Sequence, residues 1–328
     1  MRRLQLPTLV LALASVLALA ACQGQGPLAG PDDTVDAVAS GGVEPPGLWD
    51  GQSLLLEGAL YVLSGPDAYS ADVLEARLPG GELRRLTANP RGFGISALSA
   101  SDAGIALASA ENGSDQLRVL AGGRSALWGR QSAMGPSIDG RGRVLAARGT
   151  DTGSATDVYV PGRPRRELLP NDPRDPAAVW GPHGTVLVAA PTQPGPGVAT
   201  RLQERDVQGR LVRDLGRPGG RFSLLANPYP DRQPVTALRP GMHATGFVLT
   251  DDLKRTIPVP SDWDIGCWNP HGTALLVTKG TSVGLWRPGR PRQVTVVGAS
   301  AVPIFDCAWL TGPIRGLPPA LPERSPSG

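Results

Sequence analysis

The segment Trp180-Gly181-Pro182-His183-Gly184-Thr185-Val186-Leu187-Val188 returns in related form as Trp268-Asn269-Pro270-His271-Gly272-Thr273-Ala274-Leu275-Leu276. The second copy starts 88 residues after the first, twice 44. A step of 44 back from Gly184 lands on Gly140, in Ser137-Ile138-Asp139-Gly140-Arg141-Gly142-Arg143-Val144-Leu145. Leu98-Ser99-Ala100-Ser101-Asp102-Ala103-Gly104-Ile105-Ala106-Leu107 is an earlier cognate, again a polar turn feeding an apolar run. The step forward reaches Pro228 in Leu225-Ala226-Asn227-Pro228-Tyr229-Pro230-Asp231, a degenerate copy. A last half-copy, Phe305-Asp306-Cys307-Ala308-Trp309-Leu310, places Trp309 41 residues after Trp268.

Between these turns the apolar runs are four to six residues long and are broken by Gly, Pro, Asn and Asp, as in Val186-Leu187-Val188-Ala189 and Leu275-Leu276-Val277-Thr278. Such runs are strands, and no stretch sustains a 3.6-residue period. The composition agrees. Of 328 residues, 43 are Gly and 34 Pro, yet 41% are hydrophobic, too many for a disordered chain and enough for a sizeable core. A β unit repeating every ~40–45 residues is the mark of a propeller, each blade a four-stranded sheet.

The innermost strands fall at Ile95–Leu98, Met134–Ile138, Ala177–Trp180, Ser223–Asn227, Asp264–Trp268 and Ile304–Trp309, which predicts an all-β, six-bladed β-propeller. Ala59–Leu63, Val73–Leu78 and Leu83–Thr87 supply outer strands for a first blade with no inner strand of its own, and the last inner strand has no outer strands after it. The C-terminal strand should therefore complete the first blade and close the ring. Seven blades, with a hidden copy inside Leu48–Leu56, is the alternative.

The repeated turn resembles the Trp-Ser-Pro-Asp-Gly element of TolB-like propellers, and Gly81-Glu82-Leu83-Arg84-Arg85-Leu86-Thr87 resembles the outer-strand ending of that family. Pro sets φ for the first corner of the turn and Gly supplies the positive φ at its end. The resemblance runs from about Leu60 to Leu310; both clear copies carry His where the family has Asp.

Ahead of the repeats, Arg2 and Arg3 precede an apolar run from Leu9 to Ala21, shorter than the ~20 residues of a membrane-spanning helix and patterned as a secretory leader. Leu19-Ala20-Ala21-Cys22 resembles the lipobox of bacterial lipoproteins, which implies cleavage after residue 21 and a diacylglycerol on the Cys22 thiol. The competing reading is an ordinary leader with Cys22 a bystander. Gln23 stands where retained inner-membrane lipoproteins carry Asp, so the implied destination is the outer membrane of a two-membraned cell, otherwise the outer face of the cell membrane. The expected domains are a signal peptide at 1–21, a flexible tether at 22–50, the propeller at 51–312 and a disordered Pro-rich tail at 313–328.

The formal net charge of +3 falls to +1 once Arg2 and Arg3 are removed, and no run of like charge occurs, which argues against nucleic acid. After lipidation of Cys22, Cys267 and Cys307 remain on neighbouring inner strands. They form either a disulfide, favoured by an oxidising compartment, or two buried thiols, since facing sheets lie ~10 Å apart. His183, His243 and His271 match no zinc spacing and read as turn residues capping their own hairpins, so no metal or other cofactor is expected. Gly280-Thr281-Ser282-Val283-Gly284 fits the serine-hydrolase pattern, but strands flank it and every histidine precedes it, so it reads as a hairpin turn. Asp262 and Asp264, with Trp263 between them, are the carboxylates expected at the channel mouth. Trp128, Trp180, Trp263, Trp268, Trp286 and Trp309 read as packing between blades rather than as a carbohydrate platform.

No catalytic set assembles from these residues. The expectation is a non-catalytic, membrane-tethered scaffold binding another envelope component, protein or glycan; the alternative is a hydrolase or lyase with channel-mouth carboxylates, and a third is a purely structural envelope protein.

Overall fold

A computed structural model describes residues 56–321 apart from short stretches at 66–70, 79–82, 88–93, 112–113, 131, 195–197, 219, 240–244, 251–252, 254 and 301–302. The leader, Cys22, the tether and the segment 48–55 lie outside the described residues. Blade 1 contains β1 (Gly58–Ser64), β2 (Asp72–Leu78) and β3 (Leu83–Arg85). Blade 2 is β4 (Gly94–Ser101), β5 (Gly104–Glu111), β6 (Ser114–Ala121) and β7 (Arg124–Arg130). Blade 3 is β8 (Ser132–Ile138), β9 (Val144–Thr150), β10 (Gly153–Tyr159) and β11 (Arg166–Asp172). Blade 4 is β12 (Ala177–Trp180), β13 (Val186–Pro191), β14 (Thr200–Arg205) and β15 (Leu211–Gly216). Blade 5 is β16 (Ser223–Leu224), β17 (Thr236–Arg239), β18 (Thr245–Leu249) and β19 (Thr256–Pro258). Blade 6 is β20 (Asp264–Trp268), β21 (Leu275–Lys279), β22 (Ser282–Trp286) and β23 (Val294–Ala299).

The last strand, β24 (Asp306–Leu310), pairs antiparallel with β1, with Leu60 opposite Trp309 and Tyr61 opposite Ala308. The first sheet thus runs β24-β1-β2-β3, and six four-stranded sheets make the ring. Gly58 sits at this seam with φ +105°, where a Cβ would run into the Leu310 carbonyl oxygen.

Period two explains why the strands read as continuous apolar runs. Ala59, Tyr61 and Leu63 of β1 pack against Ile95, Leu98 and Ile105 of blade 2, while Leu60 and Val62 pack toward Leu276, Val283 and Leu285 of blade 6. β24 splits likewise, Ala308 and Leu310 toward blade 2 and Cys307 and Trp309 toward blade 6. Both faces of a blade pack against neighbours, so both are largely apolar. Trp180, Trp268, Trp286 and Trp309 are all buried. Trp180 donates its indole N–H to the Arg143 carbonyl of blade 3 and Trp268 donates to Thr236 Oγ1 of blade 5, which ties each to the blade before it.

The Pro-rich tail, expected to be disordered or extended, follows an extended path on the ring as far as residue 321. Ile314 is buried, and its N–H donates to the Tyr61 hydroxyl (2.7 Å), which in turn donates to buried Glu75 (3.1 Å). Leu317 packs on the core between blades 1 and 2, and Leu321 N–H donates to the Arg85 carbonyl. Proline suits such an extended strap because it needs few backbone donors.

Candidate functional site: the axial channel

Residues from the six inner strands, among them Ala97, Pro136, Val179, Leu224, Cys267 and Asp306, line a cavity of about 80 Å³ on the ring axis. Inner strands are stitched to one another by side chains that accept a neighbour's backbone N–H. Leu98 N–H donates to Asp306 Oδ2 (2.8 Å), Ile138 N–H to Ser99 Oγ (3.1 Å) and Trp180 N–H to Ser137 Oγ (3.0 Å). Bonds of this kind thus link blades 1 and 2, 2 and 3, and 3 and 4. Ser99 and Ser137 occupy matching positions, whereas Asp306 lies two residues nearer the start of its strand.

Asp306 also accepts from the Cys307 N–H (2.8 Å) and is one of the residues that line the axial cavity. Burial pushes its carboxyl up to about 6, against the pull of the two N–H donors. A raised native pKa means that the folded chain holds the proton more firmly than the unfolded one. Stability therefore rises as pH falls from about 6 toward about 4, and at neutral pH the ionised group costs up to roughly 3 kcal/mol. Asp172 and Asp262 carry the opposite sign: the hydrogen bonds from Arg174 and Lys279 hold them below the usual carboxylate range, and their contribution disappears only in stronger acid. Urea midpoints across this pH window should show the Asp306 gain in the native chain and not in Asp306→Asn. An unchanged slope in the variant would refute the assignment.

Beside Asp306, Cys267 of β20 and Cys307 of β24 are bonded, with Cα atoms 5.5 Å apart. Blades that lie far apart at the rim converge at the axis, which brings two inner strands within disulfide reach.

One end of the channel is crossed by a loop. The β16–β17 connection crosses the axis, and the Tyr229 hydroxyl donates to Asp102 Oδ1 of blade 2 (2.9 Å) while accepting from the Thr311 N–H of blade 1 (3.1 Å). Asp231 meets His183 Nδ1 of blade 4 (3.2 Å), and Gln233 Nε2 donates to the Asn269 carbonyl of blade 6 (3.1 Å). The degenerate fifth copy is thus a plug that touches four other blades. His183 serves this loop instead of capping its own hairpin, and its φ of 56° fits the turn.

The residues expected at the channel mouth are placed differently. Asp262 pairs with Lys279 Nζ (2.9 Å) at the β21–β22 hairpin, and Trp263 lies over Gly284 of β22, so neither lines the axial cavity. Asp264 opens β20 and is exposed at the unplugged end. The three therefore do not converge. Ser282 pairs with Lys279 across a tight turn at Gly280, whose φ is +58°, so Gly-x-Ser-x-Gly is a hairpin. His271 is exposed, and His243 lies outside the described residues. Among the described residues no three His, Cys, Asp or Glu side chains are grouped to hold a metal, and no helix is long and apolar enough to cross a membrane.

No known protein family's sequence profile matches the chain, and no curated protein matches it by sequence. Solved structures do. TolB from Acinetobacter baumannii is similar with a TM-score of 0.59 at 15% identity, over 78% of this chain and 67% of that one. A Bacteroides caccae protein of unknown function aligns with a TM-score of 0.46 at 13% identity, over 79% of this chain and 99% of its own. A prolyl endopeptidase aligns with a TM-score of 0.45 at 12% identity, over 73% of this chain and 41% of its own. At these identities the likeness to TolB concerns architecture alone, and it agrees with the sheet order: the chain is a six-bladed β-propeller.

Proposed function

We propose that the chain is a non-catalytic extracytoplasmic propeller, tethered to a membrane through a lipid on Cys22, that binds another envelope component, protein or glycan, at the unplugged end of its ring. The observation that carries this reading is the plug. With Tyr229 bridging blades 5, 2 and 1 at one end, the starts of the inner strands form the end of the ring that this loop does not cross. There Phe305 is 39% exposed, an aromatic side chain at the rim of a rigid ring. The Arg2-Arg3 leader and Leu19-Ala20-Ala21-Cys22 support the address, and the TolB-like architecture accords with it.

Asp306 is the specific observation that favours a hydrolase or lyase instead, since a carboxyl near 6 beside a cavity suits proton transfer. Its hydrogen bond from the Leu98 N–H of blade 2 gives it instead the part of a stitch between strands. A photo-reactive amino acid placed at position 305, and another at His271 on the plugged end, tests the proposal in intact cells. The expected result is one defined envelope adduct from position 305 and none from 271; adducts from neither position would overturn it. Feeding a palmitate analogue should label the chain and not its Cys22→Ala variant, and an unlabelled parent chain would remove the lipid tether.

A further inference from the structure

Neighbouring strands of every blade run antiparallel, so the turns after the first and third strands fall at one end of the ring, the end that the Tyr229 loop crosses, and the other connections fall at the opposite end. In two blades the turn after the third strand repeats a motif. Pro161-Gly162-Arg163-Pro164-Arg165, between β10 and β11, returns as Pro288-Gly289-Arg290-Pro291-Arg292, between β22 and β23. These are blades 3 and 6, which stand across the ring from each other. The Arg163 N–H donates to the Val160 carbonyl (3.0 Å) and the Arg290 N–H to the Arg287 carbonyl (2.9 Å), which closes the turns and leaves their arginines exposed. Arg141 after β8, Arg232 after β16 and Arg315 in the strap after β24 are exposed at the same end.

The carboxylates of this end are held within the turns and the plug. Asp139 pairs with Arg143 (2.6 Å) and Asp206 with Arg210 (2.6 Å), while Asp102 accepts from Tyr229 and Asp231 from the His183 N–H. No ion pair among the described residues involves Arg141, Arg163, Arg232, Arg290, Arg292 or Arg315. By chain order Glu82, Asp251, Asp252 and Lys254, outside the described residues, belong to two connections of this end, and arginines outnumber carboxylates with them included. The connections of the opposite end carry both signs, with Asp151, Asp175 and Asp262 beside Arg174, Arg217 and Arg221.

The chain also enters the ring at the basic end. Glu57 immediately precedes β1, its carbonyl accepts the Trp309 indole N–H (2.9 Å), and Gly58 lies against Leu310, one residue before the Thr311 that bonds the plug. A lipid on Cys22 would therefore tether the molecule by this end.

We infer that the plugged end is a docking face for an anionic phospholipid bilayer, laid against the headgroups while the unplugged end points away toward its partner. Guanidinium groups suit phosphate oxygens, and a cation close to an anionic membrane surface contributes roughly fivefold to binding. Arginines on opposite sides of the ring can meet a flat surface together, as they could not meet one small ligand. The charge excess stands without the lipid; the direction of the tether rests on the reading of Cys22 given above.

Co-sedimentation with vesicles tests it. The ring closes within residues 56–321, so the chain from Gln23 onward keeps every strand and carries no lipid, which separates a failure here from a failure of Cys22 to be acylated. That chain should bind vesicles of phosphatidylcholine and phosphatidylglycerol about tenfold or more tightly than vesicles of phosphatidylcholine alone. Binding should fade as salt shortens the Debye length from about 8 Å at 0.15 M to about 3 Å at 1 M. R163Q, R290Q and R292Q combined should weaken it by about tenfold or more, whereas R174Q, R217Q and R221Q combined, with the same net charge, should change it by less than about twofold. Equal binding to both kinds of vesicle, or equal losses in the two triple variants, would overturn the face. Displacement of the vesicles by single-stranded DNA of the same total charge would assign it to nucleic acid and overturn the membrane.

Discussion

Trp309→Ala should destabilise the ring by about 4–5 kcal/mol, a large share of the ~5–15 kcal/mol that typically holds a domain together. Trp309 is 2% exposed and packs with Leu60, Val62, Leu276 and Leu285 where blade 1 meets blade 6. Its indole N–H also donates to the Glu57 carbonyl (2.9 Å), which the substitution strands. The expected loss comes mostly from the cavity, because both walls belong to sheets that cannot collapse inward without opening the neighbouring seam. Trp128→Ala, at a partly exposed site, should cost less than about 1 kcal/mol. Urea denaturation followed by tryptophan fluorescence and circular dichroism measures both. Equal shifts for the two variants would remove the seam from its special position.

Replacing Cys267 and Cys307 together by Ala should cost about 4 kcal/mol. The bond closes a loop of 40 residues that contains the whole outer part of blade 6, and chain-entropy loss grows with the logarithm of that length. Cys307→Ala alone should cost about as much as the pair, because either change opens the loop. Both cysteines are 6% exposed, so alkylation of the unreduced native chain should leave them unmodified, and denaturation without reductant should leave them unmodified still. Labelling of either one in the denatured, unreduced chain would show the bond absent. Since Trp309 and Cys307 share a strand face, the combined variant should lose less than the sum of the separate losses.

The repeated turns made much of this architecture legible. All six inner strands appear in the residues that the 44-residue step and its landmarks pointed to, and the pairing of Trp309 with Leu60 follows from a first blade short of one strand and a last strand short of a blade. The fifth copy was harder to read. Asn227-Pro228-Tyr229-Pro230-Asp231 departs from the repeat because it is built to cross the axis, and a comparison of repeats registers that specialisation only as decay. Asp306 escaped notice for a different reason. Its partner Leu98 is 208 residues away, and only the ring brings the two together. Asp262 and Trp263 misled because sequence gives the strand that a loop enters and not the direction in which the loop leans; here the Lys279 ammonium and the bare Gly284 draw both away from the axis. In the tail, prolines masked two anchors, Ile314 and Leu317, whose spacing fits an extended strap.

Hydrogen exchange measured by mass spectrometry on the peptides spanning 58–64 and 306–310 tests ring closure most directly. If β24 completes the first blade, both peptides should be among the slowest in the molecule and should open together as denaturant is added. Rapid exchange of 306–310 beside a protected 58–64 would contradict the closure.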